Sequence, residues 1–135
     1  MQMERPEIVE LFYSALINPK DVEQCLGFLG PSVEWILPAA DPQTTGEELS
    51  SNAIKFSGTE GFRQLALYFR DRLHVISGDL AGCITRLDLV FAFGRVRLRS
   101  PRTGQVAETN LAARITFQGS KIIKCEIRIS WPLPV

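Results

Sequence analysis

The chain has 135 residues, of which fifteen Lys and Arg balance fifteen Asp and Glu, and 45% of the sequence is hydrophobic. A neutral chain of that length carries no global field toward nucleic acid or a membrane surface, and it can bury a core without disulfides or metals. No apolar run nears the roughly 20 residues needed to span a bilayer, and MQMERPEIVE lacks the apolar stretch of a signal peptide, so a cytoplasmic single domain over residues 1–135 is expected, with no cofactor and no metal.

In chain order, Ile8, Leu11, Phe12, Ala15 and Leu16 recur at the spacing of one helix face. Asn18-Pro19 ends that run, because proline keeps the preceding residue out of helix, and a first helix is predicted from about Pro6 to Ile17. Val22, Cys25, Leu26 and Leu29 repeat the pattern behind Asp21, a capping residue type, and Gly30-Pro31 closes a short second helix. SVEWILP alternates Val33, Trp35 and Leu37 on one side, as a strand does. Residues 39–52 hold proline, glycine and small polar side chains without periodicity, and are predicted to form a long mobile lid. AIKFSG reads as a short edge strand. Thr59 is the expected cap of a third helix, whose apolar stripe is Phe62, Leu65, Ala66, Phe69 and Leu73.

From His74 the period changes from 3.6 to 2. LHVISGDLAGCIT carries Gly78 and Gly82, which mark a bulge or bend in a curved strand. LVFAFGRVRLR, VAETNLAARITF and IIKCEIRISW follow as three antiparallel strands joined by RTGQ and QGSK turns. Alternation sends Thr109, Leu111, Ala113, Ile115 and Phe117 inward on one strand and Ile123, Cys125, Ile127, Ile129 and Trp131 on the next. Cys25, Cys83 and Cys125 are an odd number in apolar contexts, which reads as buried free thiols. Asp79 and Asp88 read as turn residues, and His74 as a surface or capping histidine.

Two helices, a VEW…P strand, a loop, F-S-G before a third helix, and a curved meander with a T-G turn and a K-I-I strand start resemble the SnoaL-like proteins of the nuclear transport factor 2-like superfamily. The resemblance covers nearly the whole chain. It implies an α+β fold, a nuclear transport factor 2-like (cystatin-like) cone in which a curved antiparallel sheet wraps three helices of the N-terminal half around an internal cavity. It also implies a homodimer formed through the sheet. Fold alone does not settle chemistry, since ketosteroid isomerases, scytalone dehydratase, limonene epoxide hydrolase and non-catalytic members share it.

Residue by residue, the known catalytic sets of that superfamily are not matched. Tyr13 stands where the isomerase pattern has its tyrosine, but the base position falls at Trp35 and the acid position near Ala113. The final-strand carboxylate of the epoxide hydrolase pattern falls near Ile127, His74 is the single histidine where the dehydratase pattern has two, and Ser130 stands where many relatives have an acidic residue. The phases instead point Tyr13, Trp35, Phe56, Phe62, Leu111, Ala113 and Ile127 into one apolar pocket. A small apolar or weakly acidic molecule is the expected ligand, with no nucleic acid or membrane partner. An isomerase, cyclase or dehydratase activity and a non-catalytic binding or assembly role both stay open.

In RVRLRSPRTG, Arg95, Arg97 and Arg99 share a strand face with Phe91 and Phe93, opposite Val90, Ala92, Val96 and Leu98. If the valine face is interior, the arginines form a solvated or interface stripe. If the phenylalanine face is interior, Arg95 enters the cavity and demands an anionic ligand or a carboxylate such as Glu34 or Asp88, because an unpaired buried guanidinium is very costly. The resemblance favours the second placement, since similar sequences often carry histidine at this position. Arg95 is then expected to orient an acidic ligand with Tyr13 as a second donor.

Overall fold

A computed structural model describes residues 4–37 and 54–129. The chain order begins with helix α1 (Arg5–Ile17), a 3-10 turn, the four-residue α2 (Val22–Cys25) and a second 3-10 turn. Strands β1 (Leu29–Leu37) and β2 (Ile54–Ser57) precede helix α3 (Gly58–Asp71). The remainder is β3 (Val75–Arg86), β4 (Leu89–Arg99), β5 (Val106–Gln118) and β6 (Lys121–Ile129). The predicted lid at 39–52, Ser130 and Trp131 lie outside the described residues.

Among the described residues the six strands form one open sheet in the order β2-β1-β6-β5-β4-β3. It curves around the helices as an α+β cone of the nuclear transport factor 2-like kind. One pair departs from the antiparallel expectation: β1 runs parallel to β6, with Trp35 beside Cys125. These strands are joined by no turn, so nothing local imposes an antiparallel pairing on them.

α1 has Pro6 in its first turn and a reciprocal cap between Glu4 and Glu7. Its buried face is Ile8, Val9, Phe12, Tyr13, Ala15 and Leu16, broader than the predicted stripe, with Leu11 only half-buried. The second helix is shorter than expected and is flanked by 3-10 turns, with Leu29 already in β1. α3 is preceded by Ser57 at the cap position rather than Thr59, and the cap makes no side-chain hydrogen bond. Phe62, Leu65, Ala66 and Phe69 on α3 are buried as the stripe predicts. Gly61 lets that helix close on the sheet, since a Cβ there would stand 3.0 Å from the Trp35 ring and 3.1 Å from Phe56.

The inward set of β5 is as predicted: Thr109, Leu111, Ala113, Ile115 and Phe117 are buried. On β6, Ile122 replaces Ile123 as the buried residue, because the register slips between Thr116 and Phe117 and resets the alternation. Register also shifts in β3 between Val75 and Ser77 and between Leu80 and Gly82, the glycine-marked region. Asp79 lies within that strand rather than in a turn, whereas Asp88 is in the β3–β4 turn. His74 takes a left-handed φ of 56° between α3 and β3, and its carbonyl accepts from the Arg99 amide at 3.0 Å.

The centre of the core is aromatic. Phe12, Trp35 and Phe62 are fully buried and stack with centroids 4.9 to 5.7 Å apart. Arg5 fixes the start of α1 to the turns of the sheet. Its guanidinium donates to the carbonyls of Leu87 (2.9 Å) and Gly119 (3.0 Å), pairs with Asp88 at 3.2 Å, and lies 5.1 Å from the centroid of the Phe117 ring.

Candidate ligand-binding site

Tyr13 reaches the sheet because α1 crosses it where the sheet residues are small. Gly94 faces α1 from β4, and a Cβ there would come 2.7 Å from the Tyr13 hydroxyl and 3.0 Å from Leu80 Cα. The phenol donates to the carbonyl of Arg95 at 3.0 Å, and the residue is 3% exposed. Burial first, and the charge of Asp79 second, hold its pKa up to about 12. Such a group is a weaker acid than free tyrosine, and its proton is already committed to a backbone acceptor.

Over Tyr13 opens a cleft of about 390 Å³ between α1 and β3. Glu10, Ser14, Ile17 and Asn18 line it from the helix side, and Gly78, Asp79 and Leu80 from the strand. Ser14 donates to Asp21 at 3.2 Å, and the Asn18 side-chain oxygen accepts from the Lys20 amide at 3.4 Å. Among the described residues the carboxylates of Glu10 and Asp79 make no ion pair, and no lysine, arginine or histidine lines the cleft.

A second cleft of about 430 Å³ runs along β1 and β2, with Glu34, Trp35, Ile36, Lys55 and Phe56 in its lining. Its charges are of both signs, and its buried polar atom, Trp35 Nε1, is engaged by the Gly58 carbonyl at 3.0 Å.

The residues expected to share one pocket are thus divided. Tyr13 belongs to the α1–β3 cleft, while Trp35 and Phe56 belong to the β1–β2 cleft. Phe62, Leu111, Ala113 and Ile127 are packed in the common core and line neither. Phe12, which the pocket reading omitted, fills the centre between Trp35 and Phe62.

Arg95 corrects the expectation that it enters the interior. β4 buries Val90, Ala92, Val96 and Leu98, and its arginines and phenylalanines face outward. The Arg95 side chain is 67% exposed and pairs with Glu108 at 3.3 Å, an oxygen-bearing neighbour it shares with Arg97. The physical reason is the close approach of Tyr13 from α1 and of the β3 backbone at Gly94, on the face that Val90, Ala92, Val96 and Leu98 share, where a bulkier side chain has no room. Neither Glu34 nor Asp88 pairs with Arg95 among the described residues. Sequence reasoning missed Glu10, Ser14 and Asp79 as cleft residues. Gly94 was the available signal, because an inward glycine within a strand marks close approach of another element.

Cys25 and Cys125 are buried and Cys83 is half-buried, all as free thiols. Burial pushes Cys25 up to about 12, and burial together with Glu126 and Cys25 pushes Cys125 well above its ordinary range. Thiols so raised are poor nucleophiles. Among the described residues no cluster of His, Cys, Asp or Glu is placed to hold a metal, and no helix is long and apolar enough to cross a membrane.

No family model matches the sequence, and no curated protein matches it. Solved structures do match in shape. A nuclear transport factor 2-like protein from Burkholderia thailandensis superposes with a TM-score of 0.71 at 20% identity, over 95% of this chain and 92% of that one. TerC, co-crystallised with polyporic acid, gives 0.68 at 22% identity over 92% and 89% of the two chains. A hypothetical protein from Catenulispora acidiphila with a ketosteroid isomerase-like fold, in complex with trimethylamine, gives 0.69 at 10% identity over 92% and 85%. At these identities the likeness establishes the fold.

Proposed function

We propose that this nuclear transport factor 2-like cone binds a small molecule in the cleft between α1 and β3. The observation that carries the reading is the open cleft itself, floored by a buried tyrosine and walled by Ile17 and Leu80. Concave sites with apolar walls and a few convergent polar groups are where ligands bind. Two of the structural neighbours hold small molecules of unlike chemistry, polyporic acid and trimethylamine, so the fold accommodates ligands without choosing among them.

Binding without catalysis is favoured over an isomerase, cyclase or dehydratase role. Enolate chemistry needs a free donor beside a base, and Tyr13 spends its proton on the Arg95 carbonyl. The positions that would supply a base and a second acid hold Trp35 and Ala113, both buried in the core. A backbone amide NMR screen with a mixture of small fragments tests the reading. Shifts clustered at Tyr13, Ile17, Gly78 and Leu80 are expected; shifts confined to the β1–β2 cleft, or none, would overturn it.

A homodimer through the outer sheet face is the second proposal. Phe91 and Phe93 are 39% and 43% exposed there, and Ile84, paired with Phe91 across the strands, is 60% exposed. Exposed aromatic and aliphatic groups gathered on one face are the ordinary signature of a covered surface.

A further inference from the structure

We infer that the β1–β2 cleft receives the tip of the β3–β4 hairpin, Arg86-Leu87, from a second copy of this chain, reciprocally across a two-fold axis. That contact rests on the reading of the outer sheet face as a homodimer surface, and it fixes how the two copies meet. The tip carries two anomalies at one residue. Leu87 is 86% exposed and holds a left-handed φ of 54°. It is the first of the two residues between Arg86 and Leu89, where such hairpins ordinarily have glycine or asparagine. In that conformation Cβ crowds the following carbonyl while the side chain stands in water, and burial against a partner offsets both costs. The tip is also held in place. Arg5 donates to the Leu87 carbonyl at 2.9 Å and pairs with Asp88 at 3.2 Å, so little freedom is lost when the tip docks.

The strand registers put tip and cleft in one row. Arg86 pairs with Leu89, Leu89 with Thr116, Thr116 with Lys124, Lys124 with Glu34 and Glu34 with Ser57, so this row of outer-face residues crosses the sheet from the hairpin edge to the cleft edge. A two-fold axis along the strands, between β5 and β6, lays the row over its own copy. The β3 edge of each copy then lies over the β2 edge of the other, at the same height. There Leu87 meets a cleft with Trp35, Ile36 and Phe56 in its lining. The charges fit as well. Arg86 and Glu34 are both exposed, and among the described residues neither makes an ion pair. The axis brings Arg86 toward the partner's Glu34, and in the next outward row it brings Arg114 toward the partner's Glu126 and Phe91 toward the partner's Ile36. Opposite charges and apolar groups coincide in both rows, as a self-complementary surface requires.

Sedimentation equilibrium of the full chain tests the contact. Glycine adopts the φ of the tip without strain, so Leu87→Gly is expected to keep the fold and its far-UV spectrum while raising the dimer dissociation constant about a hundredfold, since two leucines lose their cover. Arg86→Glu and Glu34→Arg are each expected to weaken the dimer about tenfold, because each turns two attractive pairs into repulsive ones. The double charge swap is expected to recover most of that loss. If the wild type is a dimer that Phe93→Arg breaks, and none of these substitutions weakens it, the homodimer surface stands and the docking of the tip in the cleft is overturned. A double swap as weak as either single variant overturns it as well. Masses beyond two chains would mean a head-to-tail relation and overturn the two-fold contact. A monomeric wild type removes the contact together with the homodimer itself.

Discussion

Replacing Gly94 with alanine tests how closely β4 is approached by the β3 backbone and by Tyr13 of α1. The added Cβ runs into the backbone carbonyl oxygen of Asp79, and it lies 2.7 Å from the Tyr13 hydroxyl and 3.0 Å from Leu80 Cα. Two of those three neighbours are backbone and cannot move aside cheaply. Overpacking of this kind costs about 1–3 kcal/mol, and displacing Tyr13 from the Arg95 carbonyl costs about 0.5–1.5 kcal/mol more. The loss of unfolded-state freedom on going from glycine to alanine returns only about 0.4–1 kcal/mol. The net expectation is a destabilisation of about 0.5–4 kcal/mol, read by urea unfolding, with a fall in Tm of roughly 2–16 °C for a chain of this size. Gly94 has no positive φ, so the effect is steric rather than conformational. Adding Tyr13→Phe removes the hydroxyl contact but not the carbonyl one, so a cycle of the two substitutions should show coupling of about 0.5 kcal/mol or more without full rescue. A Gly94→Ala protein melting within a degree of wild type would refute the close approach of β3 and Tyr13 to Gly94.

Alkaline pH should destabilise the protein in two steps. Cys25 is raised from 9.0 and Tyr13 from 10.0, each to about 12, so between those values the unfolded chain sheds protons that the folded chain keeps. Fewer protons on the unfolded state mean that stability, fully present below about pH 9, falls as pH rises toward 12. Urea midpoints at pH 7.5, 9.5 and 10.5 check this, and Tyr13→Phe should flatten the upper part; a midpoint that rises with pH would contradict the sign. For the dimer, light scattering at about 100 µM should give twice the chain mass. Phe93→Arg, which adds a charge beside Arg95 and Arg97, should shift the mass to one chain without changing Tm much. A monomeric wild type would remove the proposal.

What the sequence determined by itself was local and periodic. The 3.6-residue stripe of α3 and the two-residue alternation of β5 each had a single apolar face, so burial against anything at all gave the same answer, and Phe62, Leu65, Leu111 and Ile115 are where those patterns put them. The change of period at His74 located the start of the long strands for the same reason. On β4 both faces carry hydrophobic residues, so alternation fixed which side chains travel together but not which set goes inside. That choice was tertiary: Gly94 on the valine face admits the close approach of Tyr13 from α1 and of the β3 backbone, and Phe91, Phe93 and Arg95 turn outward. The parallel pairing of β1 with β6 and the register slip that buries Ile122 likewise join residues far apart in the chain, beyond the reach of any local pattern. The cleft is of this second kind: Glu10, Tyr13 and Ser14 come from one helix and Asp79 and Leu80 from an edge strand, and only their packing makes them neighbours.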